Sequence, residues 1–99
     1  MRIRTRRANG TTHVDLLLSH PMESGARQDK QGQNIPALYL TKVSMQHKGI
    51  IVAEVNLSPL ISRNPVVSLA MPGGESGEEL VVNWEDSRQQ TGERTAKIV

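Results

Sequence analysis

Residues 37–57 read ALYLTKVSMQHKGIIVAEVNL, and this stretch decides the fold class. Apolar residues recur largely at every second position on both sides of Lys48-Gly49, which is the pattern of strands with one buried face. A glycine-containing dipeptide between two such runs suits a turn. The stretch therefore predicts two neighbouring β-strands joined by a short turn.

Short β-like runs of this kind continue along the whole chain, separated by turn residues. No segment of ten or more residues has a clean helical period, and the turn signals recur at the spacing typical of a sandwich. We therefore predict an all-β, immunoglobulin-like β-sandwich of about seven antiparallel strands, with residues 1–99 forming a single domain. The predicted strands are Arg2–Arg7, Thr12–His20, Ala37–Gln46, Ile50–Leu57, Val66–Met71, Glu79–Glu85 and Glu93–Val99.

The composition limits both the core and the chemistry. The chain has 99 residues, no phenylalanine and only two aromatic residues, Trp84 and Tyr39. Such a chain builds a modest core, so we expect a partner to contribute to its stability. It has no cysteine, which excludes a disulfide, a thiolate nucleophile and a thiolate metal ligand.

Charge is distributed unevenly along the chain. Residues 1–50 hold eight Lys and Arg against three Asp and Glu, whereas residues 51–99 hold four against seven. Arg2, Arg4 and Arg6 share one face of a predicted strand, but no aromatic residue flanks them for base stacking. We therefore expect a solvated edge strand and no nucleic-acid partner. We also expect no membrane-spanning segment and no signal peptide.

The alternation assigns apolar residues to two faces. We expect the inward face to form the core, with Val14, Leu16, Leu18, Tyr39, Val43, Met45, Ile51, Ala53, Val55, Leu57, Val67, Leu69, Met71, Leu80, Val82, Trp84, Ala96 and Ile98. An outward apolar set remains, and monomers rarely expose such a patch, so it predicts a protein interface. Its members are Leu17, Leu38, Leu40, Ile50, Val52, Val66 and Val81, with partner binding assigned to the first five.

No residue pattern supports an enzyme, a metal site or a cofactor site. His13 and His20 are seven positions apart, so a strand sends them to opposite faces, and we expect His20 to be a hydrogen-bonded structural residue. Ser19, His20 and Asp29 could be named as a triad, but nothing near them resembles a nucleophile elbow.

The second informative stretch is residues 19–36, SHPMESGARQDKQGQNIP, which we call the signature loop. It is longer than usual hairpin connections, and long ordered loops in compact domains tend to be functional. Its charged side chains offer a polar contact surface, while Met22 offers an adaptable apolar contact. The candidate functional positions in the loop are His20, Met22, Glu23, Gly25, Arg27 and Asp29.

The signature loop resembles that of the SoxZ family, which reads Ser-His-Pro-Met-Glu-(Thr/Ser)-Gly, a basic residue, Asp and then Ile-Pro. The resemblance continues in Ser62-Arg63-Asn64-Pro65 and in Trp84-Glu85-Asp86 followed by Gly92, so that it spans residues 16–99. The main departure is at the front, where residues 6–12 replace a longer family segment rich in Pro, Lys and Gly.

The resemblance implies a non-catalytic subunit that forms a heterodimer with SoxY. In this family SoxY ends in a flexible Gly-Gly-Cys-Gly-Gly arm whose cysteine carries the intermediates of thiosulfate oxidation. SoxZ scaffolds and presents that arm to other Sox enzymes, which bind transiently. The resemblance also implies a periplasmic location, reached by co-export with the signal-bearing partner. The residues alone leave open a generic immunoglobulin-like interaction or adhesion module unrelated to sulfur metabolism.

Overall fold

Seven strands and no helix make up the regular structure of the chain, and the computed structural model describes all 99 residues. The all-β prediction is confirmed, and each predicted strand is present with ends that differ by at most three residues. The strands are β1 (Arg2–Ala8), β2 (Thr11–Leu17), β3 (Leu40–His47), β4 (Ile50–Asn56), β5 (Val66–Pro72), β6 (Glu79–Asp86) and β7 (Thr91–Lys97).

The strands form two antiparallel sheets, in the orders β1-β2-β5 and β4-β3-β6-β7. β5 contacts β4 across the sandwich. β1 lies beside β7. The Thr5 hydroxyl of β1 accepts a hydrogen bond from the Val99 N–H at 3.0 Å and donates one to the Lys97 carbonyl of β7 at 3.3 Å. The sandwich therefore has two open edges, one formed by β4 and β5 and the other by β1 and β7.

The core lies between the inner faces of the two sheets. Its thirteen buried apolar residues are Val14, Leu16, Leu18, Met22, Leu40, Val43, Met45, Val67, Leu69, Met71, Leu80, Val82 and Ile98. Most of the predicted inward residues belong to this set, and Tyr39, Ala53, Val55, Leu57 and Trp84 pack against it half-buried. Period-two alternation therefore located the core correctly on most strands.

Two orientation predictions are wrong, and irregular strand pairing explains both. Leu40 was expected to face outward but is only 2% exposed, because the pairing of β3 with β6 shifts by one residue between Leu40 and Lys42. Ile51 was expected inward but is 54% exposed. There the pairing of β3 with β4 shifts, so that Val52 is an extra residue in β4. Such bulges reverse the alternation beyond them.

The order of the strands brings three connections to one end of the sandwich. These are the long β2–β3 connection that contains the signature loop, the β4–β5 connection and the β6–β7 turn. The β1–β2, β3–β4 and β5–β6 connections lie at the opposite end. We call the first the long-loop end.

Candidate partner-binding site

Stretches that are far apart in sequence meet at the long-loop end. The His20 N–H donates to the Asn64 side-chain carbonyl oxygen at 3.0 Å, and the Asn64 N–H donates back to the His20 carbonyl at 2.9 Å. Two residues before His20, the Leu18 N–H donates to the Pro65 carbonyl at 3.0 Å. These bonds fasten the start of the signature loop to the segment that precedes β5. Two motifs singled out in the sequence are therefore parts of one structural unit.

His20 and Trp84 also lie together at this end, where they line a cleft of about 100 Å³ with Met1, Leu18, Ser19 and Leu40. The His20 Nδ1 accepts a hydrogen bond from the Met22 N–H at 3.3 Å. Burial lowers the pKa of His20, and the nearby Asp86 carboxylate opposes that shift. A neutral imidazole that accepts at Nδ1 carries its proton on Nε2, so His20 serves the local hydrogen bonding of the loop.

Met22 was expected to be an adaptable surface contact, and that expectation is wrong. Its side chain is buried in the core, and its sulfur accepts a hydrogen bond from the Leu40 N–H at 3.4 Å. Its backbone adopts a left-handed conformation, with a φ of 51°, which is uncommon for a non-glycine residue. Met22 therefore anchors the loop to the sandwich and leaves the residues after it free to project.

Residues 23–38 form a two-stranded projection that we call the loop arm. Glu23 and Leu38 exchange backbone hydrogen bonds at 2.7 and 2.8 Å. The Ile35 N–H donates to the Arg27 carbonyl at 2.7 Å. At the tip the Asp29 carboxylate accepts from two backbone N–H groups at 2.9 and 3.0 Å, which closes the turn. Residues 26–34 are all exposed, so the arm is ordered by its own hydrogen bonds.

An ion pair stiffens the base of the loop arm. The Arg27 Nε donates to both Glu23 carboxylate oxygens, at 3.1 and 3.2 Å. The Arg27 hydrogen bond is the main reason why the pKa of Glu23 is lowered, and the Arg63 charge adds to it. Gly25 has a φ of 90°, and a Cβ there would lie 3.3 Å from the Cβ of Ala37. Gly25 thus lets the two halves of the arm approach closely.

The five residues predicted to form one partner-binding patch are not brought together. Leu17 and Leu38 are half-buried at the long-loop end, and Leu40 is in the core. Ile50 and Val52 are exposed, but they lie at the opposite end of the sandwich on β4. The prediction that all five residues share a single outward face is therefore wrong, although two of them are exposed.

Exposed apolar side chains lie along the edge formed by β4 and β5, where the sequence analysis predicted the outward direction of Ile50, Val52 and Val66 but not that of Ile51 and Leu60. Apart from Val99, every exposed large apolar side chain lies on these strands or on the connection between them. We call this set the apolar edge: Ile50, Ile51, Val52, Leu60 and Val66. The two strands hold one charged residue, Glu54, whereas β1 and β7 hold seven. That contrast in charge is visible in the sequence, but its meaning requires knowing which strands are edges.

The opposite end of the sandwich has a different electrostatic centre, Glu78. Its carboxylate pairs with Lys48 Nζ at 3.0 Å and His47 Nε2 at 3.1 Å, and it accepts the Glu75 N–H at 2.7 Å. These contacts, led by the one from Lys48, lower the pKa of Glu78 to about 2. They tie the β3–β4 turn to the β5–β6 connection. No group of three or more His, Asp or Glu residues is placed to hold a metal ion.

Comparison with known proteins gives one result. The family model described as sulphur oxidation protein SoxZ matches residues 1–97 of the chain. No curated protein matches the chain. The structure contains no helix that could span a membrane.

Proposed function

The chain belongs to the SoxZ family, which gives it a role in sulfur oxidation, and from this premise we propose that it pairs with a SoxY-like protein. In this proposal it is the non-catalytic half of a sulfur carrier, and the partner's cysteine arm carries the intermediates. The absence of cysteine supports that division of labour, because the chain has no thiol that could form a covalent adduct. A generic interaction or adhesion module does not account for the family match.

The apolar edge is the observation that carries the pairing. Exposed edge strands are normally protected by charged residues, proline or a covering segment, because their free backbone groups can pair with another chain. β4 begins with three consecutive exposed apolar residues, Ile50 to Val52, and contains no Lys, Arg or Pro. Leu60 and Val66 are exposed on the same side of the sandwich, but at the long-loop end. An edge of this composition suits a permanent partner.

The loop arm has a different part in the proposal. It is polar, it projects from the long-loop end, and Glu23 and Arg27 hold its base in a fixed geometry. A charged surface is poor material for a permanent apolar interface but suits a transient contact. We therefore assign it to positioning the partner's cysteine arm or a visiting Sox enzyme. The proposal also includes a periplasmic location through co-export, which rests on the family resemblance.

The pairing can be tested with two matched substitutions. Ile50→Asp introduces a charge on the apolar edge, where the side chain is 66% exposed, and Val99→Asp introduces one at an apolar residue elsewhere that is 73% exposed. Burying a charge in an interface is costly, so Ile50→Asp should weaken binding of a SoxY-like protein at least about tenfold in calorimetric titration. Val99→Asp should change it by less than about twofold.

Circular dichroism would first establish that both variants are folded. A folded Ile50→Asp protein that binds with wild-type affinity would remove the partner from the apolar edge. An equal loss in both variants would show that added negative charge, rather than the location, weakens binding.

A further inference from the structure

The edge opposite the apolar edge concentrates positive charge. β1 and β7 hold six of the twelve Lys and Arg residues of the chain, and only one acidic residue, Glu93. We call these six cations the basic edge: Arg2, Arg4, Arg6, Arg7, Arg94 and Lys97. Because β1 and β7 lie side by side, residues from the two ends of the sequence line the same side of the sandwich.

Three of these arginines form a regular row. Arg2, Arg4 and Arg6 are exposed, and the intervening Ile3 and Thr5 are half-buried. Alternate residues of a strand share a face and lie about 6.8 Å apart, so the row spans roughly 14 Å. It stands on the outer face of the three-stranded sheet and points away from the core.

No carboxylate of the chain neutralises the basic edge. The three ion pairs of the protein join Arg27 to Glu23 and both His47 and Lys48 to Glu78. Asp15 is the cross-strand neighbour of Arg4. Its carboxylate nevertheless accepts a hydrogen bond from the Ser68 hydroxyl at 2.8 Å and makes no ion pair with the arginine. Arg94 donates a hydrogen bond to the Met1 carbonyl, and the four arginines of β1 are the guanidinium groups available to an external anion.

Protection against edge-to-edge pairing is the simplest reason for charge on an edge strand. That reason explains a few charges on β1, but it does not explain why β4 is left unprotected while β1 and β7 hold seven charged residues. The asymmetry is better explained if each edge receives a different kind of surface.

We propose that the basic edge is a docking surface for an acidic protein surface. Five of its six cations are arginines, whose planar guanidinium groups bind carboxylates through two parallel hydrogen bonds. The only aromatic residues, Trp84 and Tyr39, pack half-buried against the core, and the Trp84 ring lies over Gly92 at the start of β7, so no fully exposed aromatic ring is on this edge to stack with nucleic-acid bases. The two edges lie on opposite sides of the sandwich and can be occupied together.

The test uses the full chain and two labelled probes of equal charge, an oligoglutamate about eight residues long and an oligothymidylate. In extended form the peptide covers the arginine row. Fluorescence anisotropy should show tighter binding of the peptide, with an affinity that falls as salt is raised. Arg4→Gln with Arg6→Gln should weaken peptide binding roughly fivefold or more. Lys30→Gln with Lys42→Gln removes the same charge elsewhere, from two residues that form no ion pair, and should change the affinity by less than about twofold.

A SoxY-like protein added at saturation should leave peptide binding intact. Loss of binding on pairing would assign the basic edge to the subunit interface and overturn the proposal. Equal losses in the two double variants, or tighter binding of the oligothymidylate, would overturn it too. The peptide titrations need no partner, so failure of the SoxY-like protein to bind would reject the proposed pairing without affecting the titration result.

Discussion

Leu40 closes the core at the long-loop end and also connects that core to the signature loop. Its side chain is buried with the two sheets around it, and its N–H donates to the Met22 sulfur. Replacing it with a polar residue would therefore test folding rather than partner binding. The exposed Leu60 gives a matched comparison in the same protein, because it is 92% exposed.

Leu40→Ala should lower the free energy of unfolding by about 2–5 kcal/mol, through lost burial and the cavity left behind. Leu60→Ala should change it by less than about 0.5 kcal/mol, as expected for an exposed site. Denaturant unfolding followed by circular dichroism measures both. Similar losses in the two variants would contradict the burial described for Leu40.

Glu78 makes the stability of the protein depend on acid. Its pKa is lowered from 4.5 to about 2 by Lys48, the Glu75 N–H and His47. A carboxylate with a lowered pKa in the folded state contributes its full stabilisation above the unfolded pKa, and that contribution is lost as the pH falls toward the folded value. The unfolding midpoint of the wild type should therefore decrease between about pH 4.5 and 2.

Glu78→Gln removes this titration. Its unfolding midpoint should be lower than that of the wild type at neutral pH, and the difference should shrink as the pH falls. Thermal unfolding at several pH values measures it. A pH-independent difference between the two proteins would mean that the ion pairs of Glu78 do not contribute to stability.

The buried face of a strand could be predicted where the alternation of apolar residues is unbroken. The prediction failed where a bulge interrupts the strand. β5, with buried residues at Val67, Leu69 and Met71, follows the sequence pattern throughout. Leu40 and Ile51 were misplaced because each lies beside a shift in strand pairing. A bulge depends on the partner strand, so a pattern read along one strand does not reveal it.

The loop arm is the element whose function is easiest to separate from stability. Glu23→Ala and Arg27→Ala each break the ion pair at its base while leaving the anchor Met22 in place. Both should leave pairing with a SoxY-like protein intact but slow thiosulfate-dependent cytochrome reduction in a reconstituted system. The defect should become smaller at high salt, because screening weakens the wild-type contact as well.

Two results would contradict this assignment of the loop arm. Dissociation of the heterodimer by either substitution would move the arm into the subunit interface. Wild-type turnover with intact assembly would reduce the arm to a structural connection between β2 and β3.

At the scale of the whole molecule, charge separates the two edges of the sandwich. The composition of each strand was readable in the sequence, including the arginines of β1 and the near absence of charge in β4 and β5. What the sequence did not reveal was that β4 and β5 meet on one side and β1 and β7 on the other. That arrangement depends on β4 belonging to the four-stranded sheet. Tertiary packing determines this membership, and the sequence of the strand does not.

The pairing of β2 with β5 affects how fast the chain can fold. Val66 lies opposite Leu17 in the finished sheet, yet almost half of the chain separates them in synthesis. Sandwiches dominated by such distant contacts fold slowly, in milliseconds to seconds. During that interval the strands β4 and β5, with Glu54 as their only charged residue, can pair with those of other nascent chains, which is how aggregates begin.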